Sequence, residues 1–589
     1  MSAEAIGKVI FSSPQTIWVE ISDASVFERN KRNLQVGKFL SISDGNLNKV
    51  ICTIQNIKAK ELISSVDVGH EYGKFILETQ PMGNIKNEEF KRGSNSLPIP
   101  LEDVYILEDD VIKTIFSQND VFNFEFGKLL QNEEIPLFID GNKFFGKHIA
   151  VVGSTGSGKS CTVARILQNA LGIHENVNVN KQQQKNAHII IFDIHSEYKK
   201  AFELDIEENF NLNYLDVSTL KLPYWLMNSE ELENLFIESN EGNSHNQISI
   251  LRKAIILNKE KYNSSLSRID YDTPVYFNIN EVYRYIHNCN IATKDASTGE
   301  IMIVNPVEGI EKDEYQFFEE INFKPKDRGK INDGPFATEF DRFVIRLNTL
   351  LNDKRLKFIT DPQTQNGDHY RTENFTDIIK QFIGYLNKSN VSIIDLSGVP
   401  FEVLSITVSL ISRIIFDFSF HYSKLKNDNK QINDNPILIV FEEAHNYIPR
   451  STESSYKSVK RSVERIAKEG RKYGLGSMIV SQRPSEISET ILSQCNNFVA
   501  LRLTNPTDQN FVKRLLPDSI ASISDILPSL GKGQCLLVGD SVAIPALVQL
   551  PMPQPAPSSD DIPVINEWNT PWKDIGFEEV INRWKKIDN

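Results

Sequence analysis

The stretch Gly153-Ser-Thr-Gly-Ser-Gly-Lys-Ser160 constrains this chain more than any other feature, because it joins an apolar strand, Ile149 to Val152, to a helix starting near Lys159. Glycines in that setting let backbone amides turn toward phosphate groups, and the helix N-terminus adds positive potential at the same point. Gly153, Ser154, Thr155, Gly156, Ser157, Gly158, Lys159, Ser160 and Cys161 are therefore expected to cradle a nucleotide, ATP, with Lys159 neutralising phosphate charge and Ser160 ligating Mg2+. Cys161 otherwise reads as a small buried helix residue. A glycine-rich turn without a ligand would leave the strand and helix flanks unexplained.

A loop of this kind needs an acidic partner at the end of another strand, to hold the metal and activate water. Ile437-Leu-Ile-Val-Phe-Glu-Glu443 supplies two carboxylates, Glu442 for the metal and Glu443 for positioning or deprotonating water. Two adjacent acids at the end of an apolar strand are costly to desolvate without a cation. On the following strand, Ser477-Met-Ile-Val-Ser-Gln482 places an amide where it can bond both a γ-phosphate and the attacking water; the plainer alternative is a glutamine capping the turn before Pro484. Asp193, His195 and Glu197 also bunch at a strand end, but three groups at i, i+2 and i+4 with no distant partner are weak evidence for a metal site.

The net charge of −14 over 589 residues excludes a surface that binds nucleic acid everywhere. One segment departs from that average. Arg450 to Lys472 carries eight basic residues against Glu453, Glu464 and Glu469. Lys457, Lys460 and Arg461 are candidates to line a channel and touch DNA phosphates, and Arg465 and Arg471 are candidates to reach a neighbour's γ-phosphate as arginine fingers. A solvated helix face is the alternative for such a run.

Around these motifs the chain divides into five parts. Residues 1–125 hold short alternating strands (Gly7 to Phe11, Thr16 to Ile21, Gly37 to Ile42, Val50 to Ile54, Phe75 to Thr79) and predict a small antiparallel β-barrel for assembly. Residues 126–225 and 376–550 carry the buried apolar strands of a mainly parallel α/β sheet. Residues 226–375 predict a helical insertion, with the polar stretches 258–273 and 326–335 as loops. Residues 551–589 predict an extended arm, since Pro551-Met-Pro-Gln-Pro-Ala-Pro lacks backbone donors, ending in a short helix near Phe577 to Lys586. The apolar run Ser405 to Phe420 reads as too short or too interrupted to span a bilayer, and no secretory signal opens the chain, so no membrane association and a cytoplasmic location are expected. Five scattered cysteines suggest neither disulfides nor zinc.

Taken together, Lys147-His-Ile-Ala-Val-Val-Gly-Ser-Thr-Gly-Ser-Gly-Lys-Ser, Phe192-Asp-Ile-His-Ser-Glu-Tyr198, Asp395-Leu-Ser-Gly-Val, Phe441-Glu-Glu-Ala-His-Asn-Tyr-Ile-Pro, Glu469-Gly-Arg-Lys-Tyr-Gly474 and Ser481-Gln-Arg-Pro-Ser-Glu resemble the HerA family of hexameric DNA-translocating ATPases, within the HerA and FtsK group of RecA-like motors. The resemblance implies a RecA-like P-loop NTPase core with a helical insertion, an N-terminal β-barrel and a C-terminal arm clasping the next subunit. It implies Lys159 and Ser160 on nucleotide and Mg2+, Glu443 as catalytic acid, and Gln482 with an arginine near Glu469-Gly-Arg471 completing the site, without choosing between Arg465 and Arg471. One departure is Glu442, where many P-loop motors have Asp. The expected activity is Mg2+-dependent ATP hydrolysis by a homohexameric ring moving on double-stranded DNA. It also implies work with a partner nuclease or a sirtuin-type NADase, in DNA-end processing or antiviral defence. An ATP-dependent scaffold that organises an effector, with little DNA movement, is the competing expectation; a conjugation or secretion ATPase is a third, disfavoured by the lack of a membrane segment.

Overall fold

A computed structural model describes residues 4–585 apart from 44–47, 65–70, 87–88, 94–95, 117–122, 174–185, 204–209, 239–240, 365, 452–455, 517–522 and 560–561. Glu453 of the basic segment and Lys586 of the C-terminal helix lie outside the described residues.

The first 106 residues form seven strands: β1 (Gly7–Ser12), β2 (Ile17–Ile21), β3 (Phe39–Ser43), β4 (Lys49–Ser64), β5 (Glu71–Lys86), β6 (Glu89–Arg92) and β7 (Asp103–Ile106). They pair in the order β2-β1-β7-β3-β4-β5-β6, and an added β2–β5 pairing closes six of them into a barrel with β6 outside. The period-two pattern explains the closure: Val9, Ile17, Val19, Ile21, Leu40, Ile42, Val50, Ile54 and Val104 all point inward and are buried. Every strand read from the sequence is present; β6 and β7 are too short to show a pattern and have no counterpart in the sequence reading.

The second sheet has eleven strands in the order β12-β15-β11-β16-β17-β10-β18-β19-β20-β8-β9. Its members are β8 (Asn123–Leu129), β9 (Asn132–Asp140), β10 (His148–Val152), β11 (His188–Asp193), β12 (Leu212–Leu215), β15 (Val391–Asp395), β16 (Ile437–Phe441), β17 (Leu475–Ser481), β18 (Cys495–Ala500), β19 (Gln534–Gly539) and β20 (Ala546–Gln549). The run from β12 to β18 is parallel, whereas β18 to β9 pair antiparallel. Every residue of β10, β15, β16 and β17 is buried, as expected for parallel strands covered on both faces. Arg92 Nη1 donates to Gly539 O at 2.8 Å and Lys38 Nζ to Gln131 O at 2.7 Å, tying barrel to sheet.

Between β12 and β15 the chain is mostly helical, with helices Ser229–Phe236, Ser244–Tyr262, Ile279–Ile291 and Asp341–Asn352 and a two-strand ladder, β13 (Thr293–Asp295) with β14 (Ile331–Asp333). Two polar stretches read as loops differ from expectation. The helix Ser244–Tyr262 runs through the first five residues of 258–273, because Asn258 and Lys259 are buried and bonded: Lys259 Nζ donates to Tyr271 O and Thr273 O at 2.7 Å each. β14 occupies part of 326–335.

The run around Ser405 is part of one continuous helix, Phe401–Asp428, which by length and composition is long and apolar enough to cross a membrane, contrary to the sequence reading. In the fold, 78% of its most apolar window is buried as a core helix. Several of its polar residues are bonded inside: Thr407 Oγ1 donates to Val403 O at 2.9 Å, and Arg413 Nη2 to Glu231 Oε2 at 2.8 Å and to Leu226 O at 2.6 Å.

Candidate active site

The loop after β10 owes its shape to its glycines. Gly158 caps the helix Lys159–Leu171 at φ 92°, a left-handed conformation that side chains resist. A Cβ at Gly153 would stand 2.6 Å from Ser157 Oγ and 2.8 Å from Leu501 Cβ, so the first glycine is required by crowding. Lys159 is buried, with Nζ 3.9 Å from Glu443 Oε1 and 3.5 Å from Ser154 O. Burial lowers its pKa, and the charges of Glu443 and Glu442 work the other way.

β16 delivers the two acids. Glu443, the second residue past its end, has φ 44° and ψ 47°, an unusual conformation for a residue with a side chain and of the kind that concentrates at functional sites. Its Oε1 accepts from Gln482 Nε2, and Gln482 Oε1 in turn accepts from Thr155 Oγ1 of the loop. Glu443 Oε2 is buried and among the described residues accepts no hydrogen bond, with His445 Nδ1 at 3.3 Å. Burial depresses the pKa of His445 below the usual imidazole range, which keeps that neighbour neutral at pH 7. Loop, acid and amide thus converge although they come from β10, β16 and β17.

Glu442 is buried and its pKa is pushed up to about 8, first by burial and then by the charge of Glu443. Tyr198 Oη donates to its Oε2 at 2.8 Å. Two buried acids with Lys159 nearby put hard oxygen donors of the kind that suit Mg2+ beside the loop. The longer Glu in place of Asp is accommodated by the Tyr198 bond, a partnership the sequence reading missed.

Asp193 does not present itself as a metal ligand. Its Oδ1 accepts from His195 N at 3.2 Å and its Oδ2 from Tyr198 N at 2.9 Å, so the carboxylate holds the turn that carries Tyr198. Among the described residues no cluster of three or more His, Cys, Asp or Glu side chains has metal-binding geometry. Cys161 is buried with Sγ 3.8 Å from Ser559 Oγ, placing the C-terminal segment against the loop's helix.

The basic segment forms the helix Lys457–Glu469 and the turn Gly470–Tyr473. Lys457, Lys460, Arg461, Arg465 and Lys468 line one open groove of about 560 Å³ with Ser451, Glu464 and Glu469. Arg461 pairs with Glu230, and Arg465 pairs with Asp417 at 3.4 Å while stacking 4.2 Å over the Phe416 ring. Arg471 is exposed. Among the described residues no hydrogen bond or ion pair joins Arg465 or Arg471 to Lys159, Glu443 or Gln482, so neither belongs to this chain's own acid cluster.

Sequence reasoning also missed Arg502 and Thr504. They follow β18, and Ser154 N donates to Arg502 O at 2.8 Å while Thr504 N donates to Ser154 Oγ at 3.0 Å.

A phosphate-cradling loop between a parallel strand and a helix, with paired acids on one neighbouring strand and an amide on another, defines a P-loop ATPase. The description "Helicase HerA, central domain" matches residues 124–415, and "Helicase HerA-like C-terminal" matches 426–572. The chain belongs to the HerA helicase family. It is 25% identical over 539 residues to the probable DNA double-strand break repair helicase HerA of Methanocaldococcus jannaschii, covering 87% of this chain and 93% of that one. It is 25% identical over 558 residues to the DNA double-strand break repair helicase HerA of Pyrococcus furiosus, covering 88% of each. Among solved structures it is similar to VirB4 of Thermoanaerobacter pseudethanolicus, at 13% identity and a TM-score of 0.44, covering 76% of this chain and 98% of that one.

Proposed function

We propose that this protein hydrolyses ATP with Mg2+ in a homohexameric ring and uses the reaction to move on double-stranded DNA. The observation that carries the reading is the chain Thr155–Gln482–Glu443, which links the phosphate loop to a buried acid with an unused oxygen. In the proposed reaction Glu443 Oε2 orients the attacking water and takes its proton, and Gln482 holds that carboxylate in register with the loop. Lys159 offsets charge on the β- and γ-phosphates. Ser160 and Glu442 would hold Mg2+, which supplies charge stabilisation for the transferred phosphoryl group. An arginine of the adjacent subunit, Arg465 or Arg471, completes the site, and Lys457, Lys460 and Arg461 touch DNA phosphates.

The parts follow from that reading: a barrel for assembly (1–125), a RecA-like core in two pieces (126–225 and 376–550), a helical insertion (226–375) and a C-terminal arm (551–589) that clasps a neighbour. A partner effector, a nuclease or a sirtuin-type NADase, would couple the motor to DNA-end processing or antiviral defence, and the site would act in the cytoplasm. The test is displacement of a triplex-forming strand from linear duplex DNA. ATP-dependent displacement that a Lys159→Ala variant lacks is expected, and ATP hydrolysis without any displacement would contradict translocation.

One observation favours the second reading, an ATP-dependent scaffold that organises an effector. Arg461 and Arg465 are paired within the subunit, which reduces the positive charge free for DNA. Under that reading effector activity survives neutralisation of Lys457, Lys460 and Arg461.

A further inference from the structure

β18 lies beside β10 in parallel register, Val152 opposite Ala500, and the pairing continues beyond both strands. Leu501 N donates to Val152 O and Ser154 N to Arg502 O, each at 2.8 Å. Arg502 is thereby carried alongside the phosphate loop. Its guanidinium reaches the loop's apex, where Nη2 lies 4.0 Å from the position of a Cβ on Gly156. Its Nε is buried, and among the described residues it has no hydrogen-bond acceptor and no carboxylate pairs with the guanidinium. A permanently charged guanidinium with a buried unsatisfied N–H, at the glycine loop that leads into a helix N-terminus, is better satisfied when an anion occupies the loop.

The end of the loop that Arg502 reaches is the reacting end. Thr155, next to Gly156, bonds Gln482, which bonds Glu443, whereas Cys161 at the other end faces Ser559. We propose that Arg502 contacts the terminal phosphate of the bound nucleoside triphosphate from within the same subunit and distinguishes triphosphate from diphosphate. The role is separate from that of the arginine supplied by a neighbour, and it rests on the reading of the loop as the ATP site. Arg suits it because a planar fork can keep one N–H on the loop side while offering others to a phosphate.

The test measures dissociation constants of the full-length protein for a non-hydrolysable ATP analogue and for ADP, by displacement of a fluorescent nucleotide, in wild type, Arg502→Gln, Arg502→Lys and Lys159→Ala. Removing a charge-assisted hydrogen bond predicts roughly tenfold or greater weakening of the triphosphate analogue in Arg502→Gln with ADP changed less than about twofold, and an intermediate value in Arg502→Lys. Equal weakening of both ligands would make Arg502 a brace for the loop and overturn the proposal, as would no change in either. Should the lysine variant, which keeps the loop's brace and charge, match Arg502→Gln in losing both ligands, the proposal is likewise overturned. If wild type and Lys159→Ala bind both nucleotides alike, the ATP-site reading itself fails, a result visible without any Arg502 variant.

Discussion

Gln482 bridges Glu443 and Thr155, donating from its amide nitrogen to the carboxylate and accepting the threonine hydroxyl on its amide oxygen. Because one amide spans the acid and the loop, a change at the phosphate end is felt at the acid. Gln482→Ala is expected to lower kcat by about 10- to 100-fold with little change in nucleotide affinity, whereas Gln482→Glu should be worse, since it sets a second carboxylate against Glu443. Steady-state hydrolysis and equilibrium nucleotide binding separate the two effects.

Tyr198 holds Glu442 through a 2.8 Å bond in a fully buried setting. Removing the hydroxyl in Tyr198→Phe withdraws a donor from the ionised carboxylate and pushes its pKa higher still. The expected outcome is a rise of about 10- to 100-fold in the Mg2+ concentration for half-maximal activity, with metal-free nucleotide binding unchanged.

Arg465 and Arg471 make opposite predictions in mixed rings. Alanine at the true finger should reduce hydrolysis by roughly 1000-fold or more, and mixing that variant with Lys159→Ala subunits should restore activity, because each supplies what the other lacks. Alanine at the other position should leave hydrolysis within about threefold. Failure of the inactive arginine variant to be rescued in trans by Lys159→Ala subunits would contradict a shared site.

The basic helix should be read out by salt. Replacing Lys457, Lys460 and Arg461 with Ala is expected to reduce the slope of log affinity for duplex DNA against log salt by about one for each phosphate that the protein no longer neutralises. Basal hydrolysis without DNA should stay near wild type.

His148 on β10 is buried, with Nδ1 2.8 Å from Ser477 Oγ, and burial lowers its pKa to about 4. The unfolded chain binds a proton there below about 6.5 and the folded chain does not until about 4. Stability from this residue is therefore intact above pH 6.5 and declines as pH falls through that window, by up to about 3 kcal/mol. Urea midpoints at pH 7 and pH 4.5 should differ less in His148→Gln than in wild type; equal pH dependence would contradict the assignment.

Much of the site was legible because its parts are local motifs. The loop carries its glycines in sequence, and Glu442, Glu443 and Gln482 each end an apolar strand whose burial the composition announces. Arg502 and Thr504 were not legible, because what brings them to Ser154 is strand pairing across 350 residues. Tyr198 was hidden for a similar reason: its partner Glu442 is 244 residues away. The barrel strands showed through their alternation, whereas the length of the helix Phe401–Asp428 was misjudged because its serines, Arg413 and Asp417 read as interruptions, although Ser409 and Arg413 bond Glu231 and Arg413 pairs with Asp417 in the fold.

The central claim is tested most directly by ATP hydrolysis with and without linear double-stranded DNA, using Glu443→Gln as control and recording oligomer mass in the same samples. Hydrolysis by a ring, strongly stimulated by DNA and lowered by about 100-fold or more in the control, is the predicted result. Glu443-dependent hydrolysis in a ring indifferent to DNA would contradict the translocating motor.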